Sequence, residues 1–295
     1  MESKCTHFRK LFAGSLIIVN MILASCPGDV QEQFGQAKAC FDAGDYQSAK
    51  VIYQQIISEN PETAFAFKAY RLKARSEIIS GNVNSAEATV GELKAEFAGH
   101  PSLASGLCRI GFWFMENQMT QSAEQVFDQI IIDYPRYPVS AKALLHKGMI
   151  EQKKGRISSA KQKYSQILSD YPDLDLATES LALFRIALLE KDQRNYSHAQ
   201  QYLEQLVSML PDSGGAVARI TASGALYHLG RIYYEQKQNT GARELFERIL
   251  SQYPDASDNI KVKSLYLLAR TCEKLGKKIK AIDKFNRVVS EFPET

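Results

Sequence analysis

Residues 141–172 read AKALLHKGMIEQKKGRISSAKQKYSQILSDYP, and this stretch decides the fold. Apolar residues at helical spacing lead to the small residue Gly148 and then to Gly155, where glycine can take the left-handed conformation that closes a helix. A second helix runs through Ala160, Tyr164 and Ile167 and ends at Tyr171-Pro172, because proline cannot continue it. The same pattern recurs along the chain. Ala160 aligns with Ala49, Ala86, Ala123, Ala199, Ala242 and Ala281. Twelve residues before each alanine sits a small residue: Ala37, Ala74, Gly111, Gly148, Ala187, Gly230 and Ala269. Four residues after it sits a large apolar one: Tyr53, Val90, Phe127, Tyr164, Leu203, Phe246 and Phe285. Twelve after it comes Pro61, Pro135, Pro172, Pro211, Pro254 or Pro293, and Pro101 follows a three-residue insertion in the second copy. The intervals of 37 to 43 residues predict a stacked array of two-helix units, none stable without its neighbours. Five residues before the alanine stand Gly44, Gly81, Gly155 and Gly276, but Gln118, Arg194 and Lys237 take that place in the other copies, where less regular turns are expected.

These residues resemble the tetratricopeptide repeat over roughly residues 30–293. The resemblance implies an all-α fold, a right-handed α-solenoid of seven helix-turn-helix repeats occupying residues 30–295. One departure is the bulkier Ile56, Leu93, Ile130, Ile167, Leu206, Ile249 or Val288 where the common repeat has a second alanine. Such repeats, ending in Tyr-Pro, are similar to those of bacterial envelope proteins. Leu210 to Ala216 (LPDSGGA) stretches one interval, and its Gly214-Gly215 predicts a mobile loop near 210–216.

The first 25 residues have a different composition. Lys4, Arg9 and Lys10 precede an apolar run from Leu11 to Ala24, too short to span a membrane comfortably. This predicts a secretory leader over residues 1–25. The closing Leu23-Ala24-Ser25-Cys26 resembles the bacterial lipoprotein signal, which implies that Cys26 becomes an acylated N-terminus with 26–29 as a short tether. Pro27, rather than Asp, resembles the outer-membrane class of lipoproteins. The expected location is the bacterial envelope, lipid-anchored at the outer membrane and facing the periplasm.

The formal charge is +3, from 36 basic and 33 acidic residues. Without the leader's Glu2, Lys4, Arg9 and Lys10 the balance is 33 to 32, so no nucleic-acid footprint is present. Five cysteines occur; Cys40, Cys108 and Cys272 read as small buried hydrophobes without a disulfide. His146 and His228 share a register two repeats apart, too far to hold one metal. No catalytic residue, metal site or cofactor is expected.

Peptide-binding tetratricopeptide domains use residues eight, eleven, fifteen and eighteen before the aligned alanine, on the concave face. Carried over, the resemblance implies a groove with Lys38, Lys68, Arg71, Arg75 and Ile78 at one end. Phe112, Met115, Leu145, Met149, Phe184 and Leu188 line the middle. Tyr227, Arg231, Tyr234, Tyr266 and Arg270 form the other end. Arginine matches a carboxylate in two-pronged fashion, and aromatic residues with arginine dominate binding hot spots. An extended peptide with apolar side chains and a carboxylate suits such a surface. The anchored array is similar to the lipoprotein subunit of the outer-membrane β-barrel assembly machinery, though that family typically has five repeats. That resemblance implies a scaffold whose partners are an envelope assembly complex or segments of unfolded outer-membrane proteins. Periplasmic coordinators of cell-wall synthesis or division, pilotin-like factors for pilus or secretin assembly, and an envelope scaffold of another kind remain alternatives.

Overall fold

The computed structural model describes residues 29–171, 174–210 and 216–293. The expected leader, Cys26 and residues 211–215 of the expected loop lie outside the described residues. Those described form fourteen α-helices and no strand. In chain order they are α1 (Val30–Asp42), α2 (Tyr46–Glu59), α3 (Ala64–Ile79), α4 (Val83–Glu96), α5 (Leu103–Glu116), α6 (Thr120–Asp133) and α7 (Pro138–Lys153). Then follow α8 (Ile157–Asp170), α9 (Leu176–Asp192), α10 (Tyr196–Met209), α11 (Ala216–Glu235), α12 (Asn239–Gln252), α13 (Asp258–Lys274) and α14 (Lys278–Glu291). Odd-numbered helices open a repeat and even-numbered ones close it. Every closing helix has 14 residues, whereas the opening helices run from 13 to 20. Among the described residues no helix is long and apolar enough to cross a membrane.

The turn inside each repeat is the same seven times, which corrects the expectation of looser turns at three of them. Gly44, Gly81, Gly155 and Gly276 have φ between 73° and 80°, and Gln118, Arg194 and Lys237 adopt 62° to 64°. The next N–H reaches back over the end of the opening helix, as in Asp45 to Cys40 O (2.9 Å), Met119 to Phe114 O (2.9 Å) and Gln238 to Tyr233 O (2.8 Å). These bonds satisfy carbonyls that the helix end leaves free. That residue's own carbonyl then accepts the N–H of the aligned alanine, as in Ala49 to Asp45 O and Ala242 to Gln238 O. The backbone closure holds without glycine, at a cost of roughly 1–2 kcal/mol per left-handed side chain.

The aligned residues explain the packing. All seven alanines are buried, and so are the small residues twelve before them. A Cβ placed on Gly148 would come within 2.3 Å of the Tyr164 ring, and one on Gly230 within 2.7 Å of Phe246. Glycine there lets the closing helix seat a full aromatic ring against the opening helix. The residue before the repeat-ending proline leaves helical angles and turns inward. Tyr253 (φ −124°, ψ 62°) is 1% exposed, and Tyr171 and Leu210 are buried as well.

The chain divides into two units, residues 1–126 and 127–295, the division falling within α6. In the first unit, Phe34, Tyr53, Ile56, Tyr70, Leu93 and Phe114 form the interior. Glu96 ties one of its turns: it accepts the Tyr70 hydroxyl at 2.8 Å and the N–H of left-handed Glu62 at 3.0 Å. In the second unit one cluster centres on Leu144, Tyr164, Ile167 and Ile186, and another on Leu203, Leu226, Phe246 and Leu268. Cys108 and Cys272 are buried thiols, while Cys40 is half-buried.

Candidate functional site

Helix α3 carries Lys68, Arg71 and Arg75 three and four residues apart, so they fall on one helical stripe. Each cation rests on an aromatic ring. Lys68 Nζ lies 4.1 Å from the Phe34 ring centre, and the Arg71 guanidinium lies 5.8 Å from Phe67. Arg75 is shared between Phe41 of α1 (4.8 Å) and Trp113 of α5 (5.3 Å). The quadrupole of a ring face attracts a cation by about 0.5–2 kcal/mol, so these contacts hold the side chains in place without neutralising them.

No carboxylate among the described residues pairs with any of the three. The Nε atoms of Arg71 and Arg75 are buried and have no hydrogen-bond partner. Arg109 of α5 adds a fourth unpaired positive charge. Burial, and then repulsion from Arg109, lowers the pKa of Arg71 from its ordinary value. Lys73, on another side of α3, shows the usual arrangement: its ammonium meets Glu92 at 3.2 Å. Gly106 lets α5 approach this stripe, since a Cβ there would lie 2.8 Å from the Phe67 ring and 3.3 Å from the Arg71 stem. Phe112 and Met115 lie half-buried on α5. Lys38, placed by sequence in the same basic end, pairs instead with Asp42 on its own helix.

The other predicted positions lie in the second unit and differ in kind. Leu145 is core, and Met149 and Phe184 are half-buried against the core clusters. Tyr227 is 7% exposed, with its ring 6.4 Å from Phe246, so it is a core residue rather than a surface for a partner. Its repeat-mate Tyr266 is 49% exposed and packs edge-on to Phe285 at 5.9 Å. Arg231 meets Glu235 at 3.1 Å, and Arg270 meets Glu273 at 3.3 Å and is hydrogen-bonded with Tyr234. The Lys274 ammonium covers the Tyr234 ring at 3.9 Å. The Tyr/Arg end thus has its arginines neutralised internally. His146 and His228 are held neutral: burial first, then Arg185 for one and Lys191 and Arg231 for the other, pulls each down to about 4.

Sequence reasoning missed Arg109, which stands fourteen residues before its alanine, one short of the register carried over. It also missed the rings of Phe34, Phe41, Phe67 and Trp113 beneath the cations. Only the spacing of Phe34 and Phe41, seven residues apart on α1, hinted that both face one way.

Tandem two-helix units with this internal packing define a helical-repeat protein. The family model for the tetratricopeptide repeat matches residues 33–63, 142–174, 181–213 and 224–256. Solved structures agree on the fold. The C-terminal part of a tetratricopeptide repeat-containing protein from Cytophaga hutchinsonii aligns with a TM-score of 0.60 at 12% identity, over 89% of this chain and 96% of that one. PilF of Pseudomonas aeruginosa aligns at 0.56 and 15% identity, over 78% and 93% of the two chains. PilW, described as a widely conserved type IV pilus biogenesis factor, aligns at 0.53 and 15% identity, over 78% and 95%. At these identities the likeness is one of fold. No curated protein sequence matches the chain.

Proposed function

We propose that the chain is a non-catalytic protein-binding scaffold, and that the α3–α5 face of the first unit receives an extended partner segment carrying carboxylates beside apolar side chains. One observation carries this reading: Lys68, Arg71, Arg75 and Arg109 stand together without an acid, and two of them have buried, unpartnered Nε atoms. A half-buried N–H without a partner is costly, and a bidentate carboxylate removes that cost. Phe112 and Met115 beside the stripe suit apolar side chains of the same segment, and thioethers adapt to varied shapes. Tetratricopeptide repeats commonly serve such protein–protein contacts.

The leader pattern and Cys26 support an acylated anchor in the bacterial envelope, at the outer membrane and facing the periplasm. In that setting the partner is a segment of an unfolded outer-membrane protein or a subunit of its assembly complex. The fold shared with PilF and PilW makes a pilus component the competing partner. Two experiments test the reading. Anisotropy titrations with labelled acidic-aromatic peptides should give saturable binding that Arg71→Glu with Arg75→Glu removes, while helicity and melting stay intact; unchanged binding sinks the site. Membrane fractionation should release Cys26→Ser into the soluble fraction, and mild-detergent pull-down of the anchored chain then distinguishes a β-barrel partner from a pilus one.

A further inference from the structure

Helix α14 presents a second apolar surface. Ile279, Ile282 and Val289 are 85%, 60% and 72% exposed, and with Asn286 they form one stripe along the helix. No other described helix carries three large exposed apolar residues. The repeat register shows how unusual this is. At the position of Ile282 the six other closing helices carry Lys50, Glu87, Glu124, Lys161, Gln200 and Arg243. At the position of Ile279 they carry only Gln, Asn, Ser or Thr. Val289 occupies a register that is normally covered: Ile57 is 4% exposed, and Leu168, Val207 and Leu250 pack against the cores. In α14 two registers that are polar or charged in every other closing helix are apolar, where solvated faces ordinarily gain charge.

We infer that this face pairs with the same face of a second copy of the chain, the two α14 helices running antiparallel about a two-fold axis near Asn286. A two-fold contact offers one patch to itself, so the patch must be self-complementary. It is. The register that sets Ile282 beside the partner's Val289 also sets Asp283 opposite the partner's Arg287, within one residue. Both charges now make only exposed contacts on their own helix, Asp283 with Lys284 and Arg287 with Glu291, and such pairs exchange at little cost. Head-to-tail stacking of α14 on α1 of another copy lacks an apolar counterpart, because the exposed residues of α1 are small, polar or charged, among them Gln31, Glu32, Gly35, Gln36, Lys38 and Ala39. A 14-residue helix is only about 21 Å long, so the contact is small and the dimer weak.

Site-specific crosslinking of the full chain in cells tests this without purification. Asn286→Cys, next to the axis, should give a covalent dimer on mild oxidation, whereas Glu247→Cys, at the same register of α12, should not. Ile282→Asp with Val289→Asp in the Asn286→Cys background should cut the dimer at least tenfold. Asp283→Arg should cut it too, and adding Arg287→Asp should restore it, a rescue that a folding defect would not produce. A chain that stays monomeric, crosslinks only to a different protein, or dimerises regardless of both sets of changes overturns the inference. None of these outcomes depends on peptide binding at α3.

Discussion

Arg71 and Arg75 of the first unit and Arg231 and Arg270 of the second are held in opposite ways. In the first, Arg71 and Arg75 lie against rings and have no acid. In the second, Arg231 and Arg270 each have a glutamate three or four residues on, along the same helix. Arg75, Arg231 and Arg270 share one repeat register, so the difference lies in what surrounds the charge. An internally neutralised arginine gains little from a ligand carboxylate, because the exchange trades one pair for another. An arginine held half-buried without a pair gains the whole hydrogen bond. Under the proposed function, recognition therefore falls on the α3–α5 face, and the Tyr/Arg end of the second unit contributes mainly to its own stability.

The contrast can be broken at several points. The largest effect is one of pH and falls on the second unit. His146 and His228 have folded pKa values near 4, below the ordinary 6.5. Their stabilising contribution is therefore complete above about pH 6.5 and is lost as pH falls toward 4, by roughly 3 kcal/mol each. Thermal melts from pH 7 to 4.5 should show this decline, and His146→Phe with His228→Phe should flatten it. Next comes binding. Arg71→Glu with Arg75→Glu should weaken an acidic peptide by about a hundredfold, about 2.7 kcal/mol. Arg231→Glu with Arg270→Glu should change the same titration less than about threefold, and equal losses would erase the distinction between the units. Gly148→Ala should then cost about 1–3 kcal/mol by forcing the Tyr164 ring away, seen as a lower Tm. The smallest effect runs the other way. Gln118→Gly in the first unit and Lys237→Gly in the second should each raise stability by about 0.5–1 kcal/mol, because both hold φ above 60°.

The repeat itself was legible because its signals are local. Ala49 and its six counterparts, the small residue before them and the terminal proline each act within one helical hairpin. The three non-glycine turns were misread because the backbone bonds of the turn outweigh the preference of Gln118, Arg194 or Lys237. The site was legible only in part. Arg71 and Arg75 were found by register, but whether a charge has a partner depends on residues far along the chain, such as Trp113 or Arg109. Tyr227 and Tyr266 share a register and an aromatic neighbour, yet one is core and the other exposed. Helix α13 packs beside α11, which bears Tyr227. No single-repeat pattern encodes that difference.

Trp113 is the chain's one tryptophan, and it stacks on Arg75 at 5.3 Å, inside the surface proposed to bind. Indole emission responds to the charge and hydration around the ring. Any carboxylate that draws the guanidinium toward itself must alter that stack, while the chain's fourteen tyrosines can be left dark by exciting at the red edge. The molecule therefore carries its own optical gauge of occupancy, readable on unlabelled protein in dilute solution or on a membrane.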